Sequence, residues 1–246
     1  LHSFPTRRSS DLAASSDTAA KDSSPATTAA AGSRDNTPVV LTGSADGTVT
    51  YGNDSVTVDA SHTEEGYLMV SYSGSNSKVK LQITGSDEIT YTYNLHDGYE
   101  TFPLTSGSGS YTVGVFENIE GTSYSTLFTQ AIDVTIQDEF GPYLYANQYV
   151  NFSADSKVIS KAMELSASAN DDLEVIENVY NYIITNFTYD YDKAASVQSG
   201  YLPNVDEVLA SQTGICFDYA AVMASMLRCE RIPTRLEVGY MGDVYH

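Results

Sequence analysis

The sequence predicts an α+β protein, with an N-terminal β-sandwich followed by a smaller domain built on helices. Three observations carry this. Residues 39–137 repeat short runs in which apolar and polar side chains alternate with period two. From residue 156 the apolar spacing changes to that of amphipathic helices. The 19 Tyr, the absence of Trp and the abundant Ser, Thr and Gly suit solvated β-structure in the first part better than a helical bundle. Strands first and helices later argue for two units.

The chain has 246 residues and a formal charge of −20, from 32 Asp+Glu against 12 Lys+Arg. Such a chain repels phosphate backbones, which argues against a nucleic-acid partner, and anionic membrane surfaces are disfavoured for the same reason. Hydrophobic residues make up 41%, enough for a core, with no run of membrane-spanning length.

Residues 2–12, His2-Ser3-Phe4-Pro5-Thr6-Arg7-Arg8-Ser9-Ser10-Asp11-Leu12, resemble the translation of a short-read sequencing adapter. Residues 1–12 are therefore expected to be a non-native scar on a gene fragment, with any signal peptide or anchor lying upstream. Residues 13–38 follow as an Ala/Ser/Thr-rich stretch without Ile, Leu, Met or aromatic side chains before Val39. This composition buries too little to offset chain entropy and reads as a disordered linker. Tethers of this kind point to an extracytoplasmic, secreted or cell-surface setting.

The β-sandwich is expected over 39–137. Its clearest runs are Val56–Val58, Leu68–Tyr72, Val79–Ile83, Ile89–Leu95, Tyr111–Phe116 and Ala131–Ile136, separated by turns such as Ser73-Gly74-Ser75-Asn76 and Ser106-Gly107-Ser108-Gly109. About seven strands in about 100 residues favour a sandwich. A connector spans 138–155, and the second domain spans 156–246. Residues 156–168 read as a helix. So do 171–187, with Leu173, Ile176, Val179, Tyr180, Ile183 and Phe187 on one face and a capping box formed by Asp171 and Glu174. A third helix is expected from near Cys216 to about Cys229, carrying Ala220, Ala224 and Leu227, before Pro233. Leu236–Tyr240 reads as a strand.

Thirteen residues of helix separate the two cysteines by about 20 Å, beyond disulfide reach. Cys216 follows Gly214, which can end an extended segment at a tight turn, and falls on the first turn of the helix. There the free N–H groups and the helix dipole favour a thiolate and can hold an oxyanion. A small buried hydrophobe is the other reading of a cysteine after glycine.

The downstream residues decide between these. Gly214-Ile215-Cys216-Phe217-Asp218-Tyr219-Ala220 is followed by Leu227-Arg228, Ile232-Pro233-Thr234-Arg235, Gly239-Tyr240 and His246. In this order the segment from about Ser156 to the end resembles the transglutaminase-like superfamily, with its papain-type cysteine core. The resemblance implies a truncated transglutaminase-like (papain-like) α+β domain, with Cys216 as nucleophile and His246 as base. The residue that orients the histidine would lie beyond the chain end. His62 and His96 are assigned to the β-domain and set aside. Asp218 is expected to cap or pair locally. Tyr189 and Tyr191 are candidates for an oxyanion donor, the alternative being that they pack or sit in a loop. Asp190 and Asp192 lack the remaining ligands of a calcium loop, so no metal is expected, and no cofactor. Arg231 stands where the family usually has Gly, at a helix end that favours a left-handed residue. Cys229 is expected to be structural.

The resemblance implies cysteine-dependent acyl transfer on a protein or peptide substrate, with cell-wall peptides as one class and hydrolysis ahead of amine cross-linking. The fragment alone is expected to be inactive. The alternative is a non-catalytic cell-surface binding or structural protein with a degenerate domain. Substrate identity and oligomeric state are not set by the sequence.

Overall fold

Val79-Lys80-Leu81-Gln82-Ile83-Thr84 alternates strictly between buried and half-buried positions, as a strand with one face on a core must. The same logic organises the first part of the computed structural model, which describes residues 34–242 and 244–245. Its strands are β1 (Thr50–Gly52), β2 (Val56–Asp59), β3 (Tyr67–Tyr72), β4 (Val79–Thr84), β5 (Thr90–Leu95), β6 (Gly98–Pro103), β7 (Gly109–Glu120) and β8 (Ser123–Val134). They form two four-stranded antiparallel sheets, ordered β1-β2-β3-β6 and β5-β4-β7-β8. Val58, Val70 and Phe102 from the first sheet and Leu81, Tyr93 and Val113 from the second belong to one buried cluster. The sequence reading missed β1 and β6. Their runs are short or broken by Gly98 and Pro103, and β6 tolerates Pro103 because it is an edge strand.

A second buried cluster lies in the helical part. Its helices are α1 (Lys157–Ser166), α2 (Asp172–Asn186), α3 (Tyr191–Ser196), α4 (Val205–Ser211) and α5 (Cys216–Cys229). A two-residue strand β9 (Thr188–Tyr189) precedes α3, and β10 (Thr213–Gly214) precedes α5. Helix α5 is the hub, packing against α1, α2 and α4. Ala221, Val222 and Ala224–Cys229 are buried nearly all round, which is the signature of a central helix. Ala220, expected in the core, faces outward.

The apolar stripe of α2 is Val175, Val179 and Ile183 at i, i+4, i+8. Burying each contributes about 2 kcal/mol. Leu173 is 75% exposed and Tyr180 is half-exposed, so the predicted face is rotated. The Asp171 carboxylate accepts from Glu174 N at 2.9 Å, but Glu174 reaches back to Asn170 N at 2.7 Å, so the box closes one residue early. Sequence reading also missed α3 and α4, which are only six and seven residues long.

Two boundaries shift. The predicted linker reaches residue 38, and residues 1–33 of it and the scar lie outside the described residues. Residues 34–38, however, are held. Arg34 pairs with Asp172 at 2.7 Å and with the fully buried Glu230 at 3.1 Å, Asn36 donates to Ala169 O at 3.0 Å, and Val39 N donates to Cys229 O at 2.7 Å. Val40 packs on the helical cluster rather than on the sheets. At the other end, the expected strand over Leu236–Tyr240 is irregular until Tyr240. Among the described residues no strand runs beside 236–239 to take its hydrogen bonds, and β11 (Tyr240–Met241) pairs only with β12 (Val244–Tyr245).

Arg228, 3% exposed, ties these parts together. It donates to Thr234 O at 3.0 and 2.8 Å and to Tyr145 O at 2.6 Å. Burial pushes its pKa down to about 10, which leaves it charged at neutrality. Arg231 adopts φ 63°, the left-handed conformation that its position predicts.

Candidate functional site

The site is built on the junction of β10 and α5. Strand β10 pairs in parallel with β9, with Gly214 opposite Tyr189. Thr188 N donates to Gln212 O at 2.8 Å, and Asp190 N donates to Gly214 O at 2.9 Å. This register sets Tyr189 beside the residue that starts α5, Cys216.

The start of α5 needs a cap that its N-cap residue, Ile215, cannot supply from an aliphatic side chain. Asp218 supplies it from the third helical position, its Oδ2 accepting from Ile215 N at 2.8 Å. The carboxylate is fully buried, a costly placement without partners. It has two more. Lys193 Nζ lies 2.7 Å from Oδ2, and Tyr201 Oη donates to Oδ1 at 2.6 Å. Lys193 also donates to Tyr201 Oη at 2.7 Å. Burial pulls the Lys193 pKa down, but its bonds to Asp218 and Tyr201 outweigh this and hold it above the ordinary value. Burial, then Asp218, push the Tyr201 phenol up. Asp218 thus caps and pairs locally, as expected, and in doing so fixes the backbone that carries Cys216.

Gly214 has a different role from the one expected. Its φ is not left-handed; a Cβ there would stand 2.7 Å from Asp218 Cβ and 2.8 Å from Oδ2. The glycine leaves room for the buried carboxylate.

Cys216 is half-buried and its thiol is free. The Tyr189 phenol lies near enough to it that the Cys216 sulfur and amide both act on the phenol. Burial first, then the Cys216 sulfur, push the phenol pKa up, and the Cys216 amide opposes them. Tyr189 therefore keeps its proton at neutral pH. Tyr191 sits at the first turn of α3, 79% exposed, with its ring on the edge of Tyr189 at 5.1 Å. Of the two tyrosines, the structure brings only Tyr189 to Cys216. Tyr219 packs on Phe187 and Tyr189 at 5.4 and 6.3 Å, and its buried hydroxyl has no partner among the described residues. Asp190 caps α3, accepting from Lys193 N at 2.8 Å.

His246 lies outside the described residues. His96, between β5 and β6 as its assignment to the β-domain has it, also lines the same cleft as Cys216. That cleft, of about 440 Å³, lies between the outer face of β4 and β5 and the start of α5. Cys216 and Phe217 are among the residues that line it. Phe217 stacks edge-on with Tyr149 at 5.9 Å and Tyr201 at 6.3 Å, joining the connector to the helical part. The loop 197–202 crosses the sheet face at Asn94, where Gly200, at φ 89°, comes so close that a Cβ would stand 2.5 Å from Asn94 Nδ2. Sequence reading missed this wall because adjacency of a turn histidine and a helix start is set by tertiary packing, not by spacing. Cys229, by contrast, is fully buried at the far end of α5, its thiol pushed up to about 12 by burial and by Glu230.

Residues 159–245 match the model of the transglutaminase-like superfamily. The UPF0252 protein MJ1282 of Methanocaldococcus jannaschii is 28% identical over 89 residues, covering 34% of this chain and 24% of that protein. The chain thus spans about a quarter of the length of this curated relative. No helix among the described residues is long and apolar enough to cross a membrane.

Proposed function

Because residues 159–245 form a transglutaminase-like domain, we propose that the protein performs cysteine-dependent acyl transfer on peptide or glutaminyl substrates, by hydrolysis ahead of amine cross-linking. The observation that carries this reading is the placement of Cys216: first residue of a helix, in the lining of a cleft, with the Tyr189 phenol close by.

In this reading the Cys216 sulfur attacks the substrate carbonyl, and His246 takes the thiol proton. The Cys216 amide and the Tyr189 hydroxyl hold the oxyanion. Collapse of the tetrahedral intermediate breaks the C–N bond, and His246 returns the proton to the leaving amine. Water then attacks the thioester and releases the acid and the free thiol. The two sheets are read as a sandwich that forms the opposite wall of the cleft, and the setting as extracytoplasmic.

Iodoacetamide labelling read by intact mass and peptide mapping tests this. One adduct at Cys216 is expected, absent in Cys216→Ala and slowed in His246→Ala, while Cys229 stays unlabelled. His96→Ala run alongside identifies which imidazole acts. Slow and equal labelling of both cysteines overturns the reading. Release of acid from a glutaminyl peptide, with and without a primary amine, separates hydrolysis from cross-linking.

A further inference from the structure

The lining of the Cys216 cleft reverses the charge of the molecule around it. Asp and Glu outnumber Lys and Arg 32 to 12 in the chain. Yet among the described residues the cleft is lined by Lys80, His96 and neutral side chains, with no carboxylate. A neighbouring cleft of about 450 Å³ shares Lys80, Asn94, His96 and Ser199 with it and continues to Lys78 and Tyr124, again without a carboxylate. The two form one groove from Cys216 across the outer face of β4 and β5.

The cations in it are available. Lys80 donates to the neutral Asn94 Oδ1, and neither Lys78 nor Lys80 makes an ion pair among the described residues. One acid behind the wall is Glu100, and another is Asp218, which is held by Lys193 and Tyr201. The Glu100 oxygens are occupied by His96 N at 2.8 Å, His96 Nδ1 at 3.1 Å and Gln148 Nε2 at 2.9 Å. The opposite side of the groove supplies Tyr149, Tyr201 and Phe217, apolar faces suited to a peptide backbone.

We infer that this groove binds an acidic peptide segment, whose carboxylates meet Lys78 and Lys80 while its reacting carbonyl reaches Cys216. The inference rests on the acyl-transfer reading for the role of Cys216, but the binding it describes is measured without turnover. Long-range steering does not help such a ligand, since the net charge of the chain is negative and charges more than about 8–10 Å apart are largely screened. Selectivity must come from contacts inside the groove.

The experiment uses the full chain carrying Cys216→Ala and three fluorescein-labelled peptides, an alternating Glu-Gly peptide, its Gln-Gly isostere and its Lys-Gly counterpart, read by anisotropy. The Glu-Gly peptide is expected to bind roughly tenfold tighter than Gln-Gly, from two charge contacts. Adding Lys78→Gln and Lys80→Gln together removes that preference, whereas Lys80→Arg keeps it. Lys78 is exposed and Lys80 is partly buried, and an unchanged melting curve confirms that the glutamine variants fold. Equal binding of the Glu and Gln peptides, tighter binding of the Lys peptide, or an unchanged preference in the double variant overturns the inference. Labelling of Cys216 in the unmodified chain is read separately. Acidic-peptide binding without selective labelling leaves the groove and removes the acyl-transfer reading; labelling without the preference does the reverse.

Discussion

Replacing Asp218 by Ala removes a carboxylate that has no solvent exposure and three donors at 2.8, 2.7 and 2.6 Å. Loss of the helix cap costs about 1 kcal/mol. Leaving Lys193 without its counter-ion and the Tyr201 hydroxyl without its acceptor adds about 2–3 kcal/mol. The lower end applies because the Lys193 side chain is about a quarter exposed and regains water. The sum is about 3 kcal/mol, which lowers the melting temperature by about 10 °C in a domain of this size. Circular dichroism melts measure it. Asp218→Asn retains one acceptor for Ile215 N and is expected to fall between the two. Iodoacetamide labelling of Cys216, followed at a temperature where each variant is folded, should also change, because the backbone under the sulfur is no longer fixed. A melt within about 2 °C of the unmodified chain, the range of an ordinary surface substitution, would refute the assignment of Asp218 as the anchor of α5.

Gly214→Ala drives a methyl into the same carboxylate, so a loss of about 2–3 kcal/mol is expected in urea titrations, together with altered Cys216 labelling; a neutral effect would show that the junction yields freely. His62 bonds Asp46 at 2.9 Å and Glu65 at 3.1 Å. Burial pulls its pKa down, but these carboxylates outweigh it and raise the folded value above 6.5. Its stabilisation is therefore complete below the unfolded value and lost as pH rises through the folded one. The urea midpoint should fall as pH rises past the unfolded value of about 6.5 and through the higher folded one, and His62→Gln should flatten that slope; an identical slope in the variant would show that the ring does not carry it.

Local pattern made much of this molecule readable in advance. Helix α5 runs from Cys216 to Cys229 as expected, because Gly214 and Pro233 bracket one apolar stretch and Asp218 is well spaced to cap it. Lys80 and Gln82 alternate with buried neighbours, so β4 announces itself. Helix α4 was legible too, since Asn204 precedes Glu207 by three residues ahead of Val205, Val208 and Leu209, a start signal that went unused. The rest was set by packing. Nothing beside Arg34 in the sequence marks it as the partner of Glu230, 196 residues away. Nor does spacing say that the turn bearing His96 meets the start of α5. In α2 the stripe could be drawn through Leu173 and Tyr180 or through Val175 and Val179, and only the neighbouring helices choose.

Arg228 fastens the end of the central helix to the connector and to the segment beyond Pro233 using only peptide oxygens as acceptors. Amide carbonyls neither gain nor lose protons across the range in which carboxylates do. A clasp made this way is indifferent to acidification: the guanidinium grip on Tyr145 and Thr234 has no carboxylate in it to take up a proton. The far end of the helix is thus moored by peptide oxygens alone, while its Cys216 end hangs on one buried side chain.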